Sequence, residues 1–137
     1  MSHPFALITA DEAAALIEDG MTVATSGFTA AGCPKATTAA LARRARAEHE
    51  AGRPLKVRLL TGASTGASVD KALAEADALS FRFPYQSDST LRRKINSGAI
   101  PFFDLHLSHV PQYAEYGFLG QIDVAVIEAT AVTAEGH

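Results

Sequence analysis

Ser26-Gly27-Phe28-Thr29-Ala30-Ala31-Gly32-Cys33-Pro34-Lys35 stands between an apolar, strand-like stretch at 21–25 and an alanine-rich, helix-like stretch at 38–45, and its reading decides the fold. Gly27 and Gly32 allow backbone geometry that a side chain would forbid, and Pro34 suits the first turn of a helix beginning there. A loop so built can turn N–H groups toward an anion or a developing oxyanion, because a helix start leaves them unpaired and its dipole favours negative charge. The order strand, Gly/Ser/Thr loop, helix returns at Leu59-Leu60-Thr61-Gly62-Ala63-Ser64-Thr65-Gly66. That recurrence lifts the first loop above a generic turn and marks it as a substrate cradle. It is not a P-loop, since no Gly-Lys-Ser/Thr ending follows, and its glycines lack the dinucleotide spacing G-x-G-x-x-G.

Working outward, Thr9 is expected to cap a first helix with Asp11 and Glu12 in its first turn, Ala13, Leu16 and Ile17 on one face, and Gly20 past its end. Past the first loop, Thr38, Leu41, Ala42 and Ala45 keep a helical stripe, while Arg43, Arg44, Arg46 and Glu48 point elsewhere. A strand at 55–60 carries Lys56 and Arg58 outward, which predicts a place near a sheet edge. Val69, Ala72, Leu73 and Ala76 form the next helical face, opposite Asp70, Lys71 and Glu75, before a strand at 79–83 that Pro84 ends. The polar run 85–90 caps a helix bearing Leu91 and Ile95. An alternating stretch at 102–107 precedes Ser108, read as the cap of a helix through Tyr113 and Tyr116. The continuously apolar run 122–127 is expected as the central parallel strand. Strands alternating with helices through short links predict an α/β domain with a mainly parallel sheet flanked by helices. Ligands of such sheets sit outside the carboxyl ends of the strands, where the loops starting at Ser26, Thr61, Pro84 and Glu128 would gather.

A length of 137 residues suits one domain with a core that needs neither disulfide nor metal. Charged residues make up 20% and the net charge is -3, so neither nucleic acid nor an anionic membrane surface is globally attracted. The residues 1–5 lack a basic and apolar secretory pattern, and no apolar run approaches bilayer length. Cys33 is the sole cysteine, which rules out an intrachain disulfide and fits the reducing cytoplasm. The expected partner is a small molecule.

For Gly27, Phe28, Thr29, Gly32 and Pro34 the structural alternative to a substrate loop is a tight βα turn needed for close packing. Ser64 and Thr65, between Gly62 and Gly66, can bind a carboxylate or orient an acyl oxygen, or can simply cap the following helix. Ser87, Asp88 and Ser89 carry the same two readings. Ser64 lacks the G-x-S-x-G context of a nucleophile. Cys33 reads as a small buried residue rather than a thiolate. His106 and His109 have the spacing of a shared ion, yet no carboxylate or cysteine completes a ligand set, so no metal is assigned. Glu128 ends the most apolar strand at the functional rim and is the acid to watch, with a structural role the main alternative.

With these residues in view, the chain resembles the acetyl-CoA hydrolase/transferase family. The matching stretches are Ser26-Gly27-Phe28-Thr29 with Gly32 and Pro34; Thr61-Gly62-Ala63-Ser64-Thr65-Gly66; Phe81-Arg82 leading to Pro84 and Asp88; Phe103-Asp104 with His106-Leu107; and Glu128-Ala129-Thr130. The resemblance implies a CoA-transferase (NagB/RpiA-like) N-terminal domain over residues 1–137, belonging to a protein of two related α/β domains. It further implies a glutamate nucleophile that becomes a glutamyl-CoA thioester and lies in the second domain, so that this chain is an N-terminal fragment holding no catalytic residue. Carried over are substrate-binding positions only: Gly27, Phe28, Thr29 and Gly32 of the first loop, and Ser64, Thr65 and Ser87 near the reacting acyl group. Ser87 stands where the resemblance leads one to expect threonine. No bound cofactor is implied. Coenzyme A enters as substrate, the partners are an acyl-CoA and a short carboxylate, and the complete enzyme is expected as a homodimer.

Two other functions fit the residues. A sugar-phosphate isomerase of related α/β architecture predicts tight sugar-phosphate binding, and a non-catalytic carboxylate-binding domain predicts binding without turnover.

Overall fold

The computed structural model of the chain describes residues 4–136. Helix α1 (Ala10–Ala15) begins with a capping box: Glu12 N donates to Thr9 Oγ1 at 3.2 Å, and Thr9 N donates to Glu12 Oε2 at 2.7 Å. It ends earlier than the sequence pattern predicts. Leu16 serves as its C-cap and is 64% exposed, so of the expected face of Ala13, Leu16 and Ile17 only Ile17 is buried in the core. Arg44 closes this end, its guanidinium donating to Ala14 O in the last turn of α1 and to Ile17 O just beyond it, both at 2.6 Å.

Strand β1 (Thr22–Thr25) leads through the first loop into helix α2 (Ala36–Glu50). Strand β2 (Val57–Thr61) follows, then a π-helical turn (Ala67–Lys71) running into the short helix α3 (Ala72–Glu75). Strand β3 (Leu79–Phe83) and helix α4 (Ser89–Asn96) come next, then helix α5 (Val110–Glu115) and strand β4 (Val124–Val126). The four strands pair in parallel in the order β3-β2-β1-β4, which bears out the α/β class and the parallel sheet.

Each sheet face has its own apolar cluster. Val23, Val57, Leu59 and Leu79 face Ile17, Leu41, Ala45, Val69, Leu73 and Leu91 of the helical layer. Leu60 and Phe83 face Leu119, with Tyr113, Val110 and Leu105 packed around them. Adjacent residues Leu59 and Leu60 thus serve opposite faces, as the two-residue period of a strand requires.

Three expectations are corrected here. β2 is an interior strand, although Arg58 suggested an edge: its guanidinium lies 4.8 Å from the Phe81 ring centroid and donates to Leu119 O at 2.9 Å, so the charge is accommodated on the sheet face. The run 122–127 forms only the three-residue β4, at the sheet edge among the described residues, with Val124 and Val126 half-buried and Ile127 71% exposed. A continuous apolar run fits burial on both faces, but here only one face is covered. The stretch 102–106 is irregular apart from a parallel bridge from Phe102 to Arg82, and His106 rather than Ser108 caps the 3-10 turn Leu107–His109, its Nδ1 accepting from Ser108 N at 3.3 Å.

Candidate functional site

The loops at the carboxyl ends of the four strands are tied together by hydrogen bonds that cross between them. Thr29 N donates to Ser64 O at 2.7 Å, joining the first loop to the second. The hydroxyls of Ser64 and Ser87 are 2.6 Å apart, joining the second to the third. Ser26 Oγ donates to Gly32 O at 2.7 Å and accepts from Glu128 N at 2.9 Å, joining the first to the fourth. The gathering of these loops expected from a parallel sheet is therefore formed.

Local sequence explains the first loop. Gly27 takes φ 129, and a Cβ there would overlap Cys33 Sγ while meeting Cys33 Cα and Thr65 Cγ2 at 3.3 Å. Gly32 takes φ 64 but borders open space. Thr29 also lies in the left-handed region, at φ 57, and its Oγ1 donates to Phe28 O at 2.6 Å. The amides of Phe28, Thr29 and Ala31 are spent within the protein, on Ala31 O, Ser64 O and Phe28 O, so these three do not face a ligand. Helix α2 starts at Ala36 with Lys35 as its cap, and Pro34 lies one residue before that cap.

A cavity of about 430 Å³ opens beside these loops. Phe28 and Thr29 line it from the first loop, Ala63 and Ser64 from the second, Tyr85 from the third, and Asp104, Leu105, His106 and Leu107 from the irregular segment. Its walls are mainly apolar, the usual character of a small-molecule site with a few placed polar groups. Of the candidate residues, Phe28, Thr29 and Ser64 line the cavity directly. Ser87 reaches Ser64 from the third loop. Gly27, Gly32 and Thr65 shape the surrounding backbone, and the buried Thr65 Oγ1 has no hydrogen-bond partner among the described residues.

Sequence reasoning missed the group that holds two of these loops. Arg82 and Asp70 form an ion pair with both side chains fully buried, Arg82 Nε donating to Asp70 Oδ1 at 2.8 Å and Nη2 to Oδ2 at 3.3 Å. Asp70 Oδ2 also accepts from Thr65 N at 3.0 Å, and Arg82 donates to Ala63 O, Phe83 O and Pro84 O. Asp70 was expected on the solvent side of a helix. The π-helical turn at Ala67–Lys71 widens that helix, so Val69 and Asp70 are both buried. The available signal was Arg82 itself, an arginine inside an apolar strand, where a charge needs a partner.

Glu128 pairs with Lys35, which also donates to Cys33 O at 3.1 Å. Both side chains are partly exposed, so this is a rim contact of the modest kind. Cys33 is fully buried with Sγ 3.3 Å from Thr29 O, the packing role read from the sequence. His106 and His109 are neighbours with ring centroids 6.0 Å apart and planes inclined at 54°, and the described residues contain no group of three ligand-type side chains around them.

Loops gathered at the carboxyl ends of a parallel α/β sheet, around an apolar cavity with a hydroxyl pair at its edge, match the place where sheets of this class hold small ligands. Residues 3–137 match the acetyl-CoA hydrolase/transferase N-terminal domain, and the chain belongs to that family. It is 55% identical over 137 residues to a propanoyl-CoA:succinate CoA transferase of Escherichia coli (strain K12), covering 100% of this chain and 28% of that protein. It is 48% identical over 130 residues to a succinyl-CoA:acetate CoA-transferase of Clostridium kluyveri, covering 95% of this chain and 24% of that protein. An acetyl-CoA hydrolase of Schizosaccharomyces pombe is 41% identical over 125 residues, covering 87% of this chain and 24% of that protein. The chain thus spans about a quarter of the length of the curated relatives it matches. Among the described residues, no helix is long and apolar enough to cross a membrane.

Proposed function

We propose that this chain is the N-terminal part of an enzyme that moves CoA between an acyl-CoA and a short carboxylate, thioester hydrolysis being the variant in which water replaces the carboxylate. The observation that carries the reading to this site is the Ser64–Ser87 hydroxyl pair at 2.6 Å, with Ser64 on the wall of the apolar cavity. Hydroxyls both donate and accept, so the pair can hold a carboxylate or a thioester oxygen while the apolar wall takes the alkyl part. The names of the relatives supply the CoA chemistry.

In this reading a glutamate outside residues 1–137 attacks the acyl-CoA carbonyl, giving an acyl-glutamyl anhydride and CoA thiolate. The thiolate then attacks the glutamyl carbonyl, which releases the acyl group as a carboxylate and leaves a glutamyl-CoA thioester. The same steps in reverse load a second carboxylate. Gly27, Phe28, Thr29, Gly32, Ser64, Thr65 and Ser87 form the acyl end of the pocket, and none of them is the nucleophile. CoA is a substrate, no further cofactor takes part, and the complete enzyme works as a cytoplasmic homodimer.

The test is exchange by the complete polypeptide of labelled acetate, propionate or succinate into acyl-CoA, followed by chromatography. Exchange at least tenfold faster than hydrolysis supports the transferase. Sugar-phosphate isomerisation without exchange would establish the competing activity instead.

A further inference from the structure

We propose that the buried Arg82–Asp70 pair is the positioning unit of this site, setting the separation of the loops that carry Ser64 and Ser87; this role rests on the CoA-transfer reading of those hydroxyls. The two side chains are fully buried, and an ion pair is a costly way to fill a core where apolar residues of similar volume would serve. What it supplies beyond volume is a set of directed hydrogen bonds. Ser64 lies between Ala63, whose carbonyl accepts from Arg82 Nη2 at 3.4 Å, and Thr65, whose amide donates to Asp70 at 3.0 Å. The peptides on both sides of Ser64 are therefore tied to one rigid salt bridge.

The same guanidinium holds the start of the third loop, through Phe83 O and Pro84 O, three residues before Ser87. Arginine presents a planar fork of donors, so one side chain can serve the Asp70 carboxylate and three carbonyls at fixed angles. The second and third loops consequently share one reference, and their hydroxyls meet at 2.6 Å. Displacement of a reacting contact by about 1 Å can cost roughly a hundredfold in rate. Arg82 and Asp70 act through Ser64 and Ser87 and touch no substrate, which makes them positioning residues.

A double-mutant cycle in the complete polypeptide separates this role from plain stability. Asp70→Glu keeps both charges and moves the carboxylate by about one methylene, while Asp70→Asn and Arg82→Lys provide two further variants. Each is measured alone and with Ser64→Ala and Ser87→Ala together, with circular dichroism confirming the fold. For every folded variant, kcat/KM for CoA exchange should fall roughly tenfold to a hundredfold in the unmodified background. It should fall less than about threefold once both hydroxyls are gone, because the two sets of changes remove the same interaction. Losses that simply multiply, or wild-type exchange in a folded variant, would overturn the positioning role, as would failure of all three variants to fold. No exchange by the unmodified polypeptide would overturn the CoA-transfer reading itself, and this role with it.

Discussion

Gly27→Ala should destabilise the first loop far more than Gly32→Ala, although the two glycines look equivalent in sequence. At Gly27 the backbone sits at φ 129, a region nearly closed to side chains, which costs on the order of 1–3 kcal/mol. The new methyl would also overlap Cys33 Sγ and press on Cys33 Cα and Thr65 Cγ2 at 3.3 Å, adding about 1–3 kcal/mol of overpacking. At Gly32 only the left-handed conformation is penalised, at roughly 1–2 kcal/mol, since nothing lies within 4 Å of the added atom. Urea unfolding followed by circular dichroism should therefore place Gly27→Ala well below Gly32→Ala at an unchanged m-value. Repeating Gly27→Ala in a Cys33→Ala background should recover much of the overpacking share and leave the conformational share. Equal midpoints for the two glycine variants, or an undiminished penalty beside Ala at position 33, would refute the packing argument.

Ser64→Ala and Ser87→Ala in the complete polypeptide should each lower kcat/KM for exchange roughly tenfold to a hundredfold with the fold intact, and wild-type kinetics for both would remove the pair from the site. Asp77 contacts Lys56 and Lys94 at 2.7 Å; burial pushes its carboxyl up, but the hydrogen bonds and charges of the two lysines outweigh this and hold it below the usual carboxylate range. A carboxylate depressed in the native state contributes stability above about pH 4 that is lost as the pH falls through the native value. Asp77→Asn, which tolerates φ 54 at this position, should flatten the acid limb of a stability–pH curve, and an unchanged limb would refute the linkage. The 137-residue chain alone should self-associate in sedimentation velocity, because Ile127 beside the β4 edge is 71% exposed and Phe118 68%. Ile127→Lys should reduce that association, and a strictly monomeric unmodified chain would count against it.

The fold was readable where a local rule acted alone. Thr9 with Glu12, and Asp88 accepting from Thr90 N and Leu91 N at 2.9 Å, are helix starts whose chemistry lies within four residues. The gathering of the loops at Ser26, Thr61, Pro84 and Glu128 followed from parallel topology. Strand order was less legible, because Arg58 is accommodated by Phe81 and Leu119, partners distant in sequence. The apolarity of 122–127 recorded a demand for burial that the described residues meet on one face only. Asp70 was misplaced because a π-helical turn shifts the helical register, and no pattern of period 3.6 reveals such a turn. Ser64, Phe28 and Thr29 were singled out from their loop context, and the fold places all three on the cavity wall. The device behind them depends on a side chain twelve residues along the chain from Asp70, visible only as an unexplained arginine in strand β3.

The central claim is that this chain shapes the acyl end of a CoA-transfer site whose nucleophile lies elsewhere in the polypeptide. Incubating the complete polypeptide with acyl-CoA, reducing any enzyme thioester with borohydride and mapping the modified residue by peptide mass spectrometry tests it most directly. The account predicts one reduced glutamate, outside residues 1–137, with none in the isolated chain under the same conditions. Reduction of Glu128, or acylation of Cys33, at the rate of turnover would contradict it.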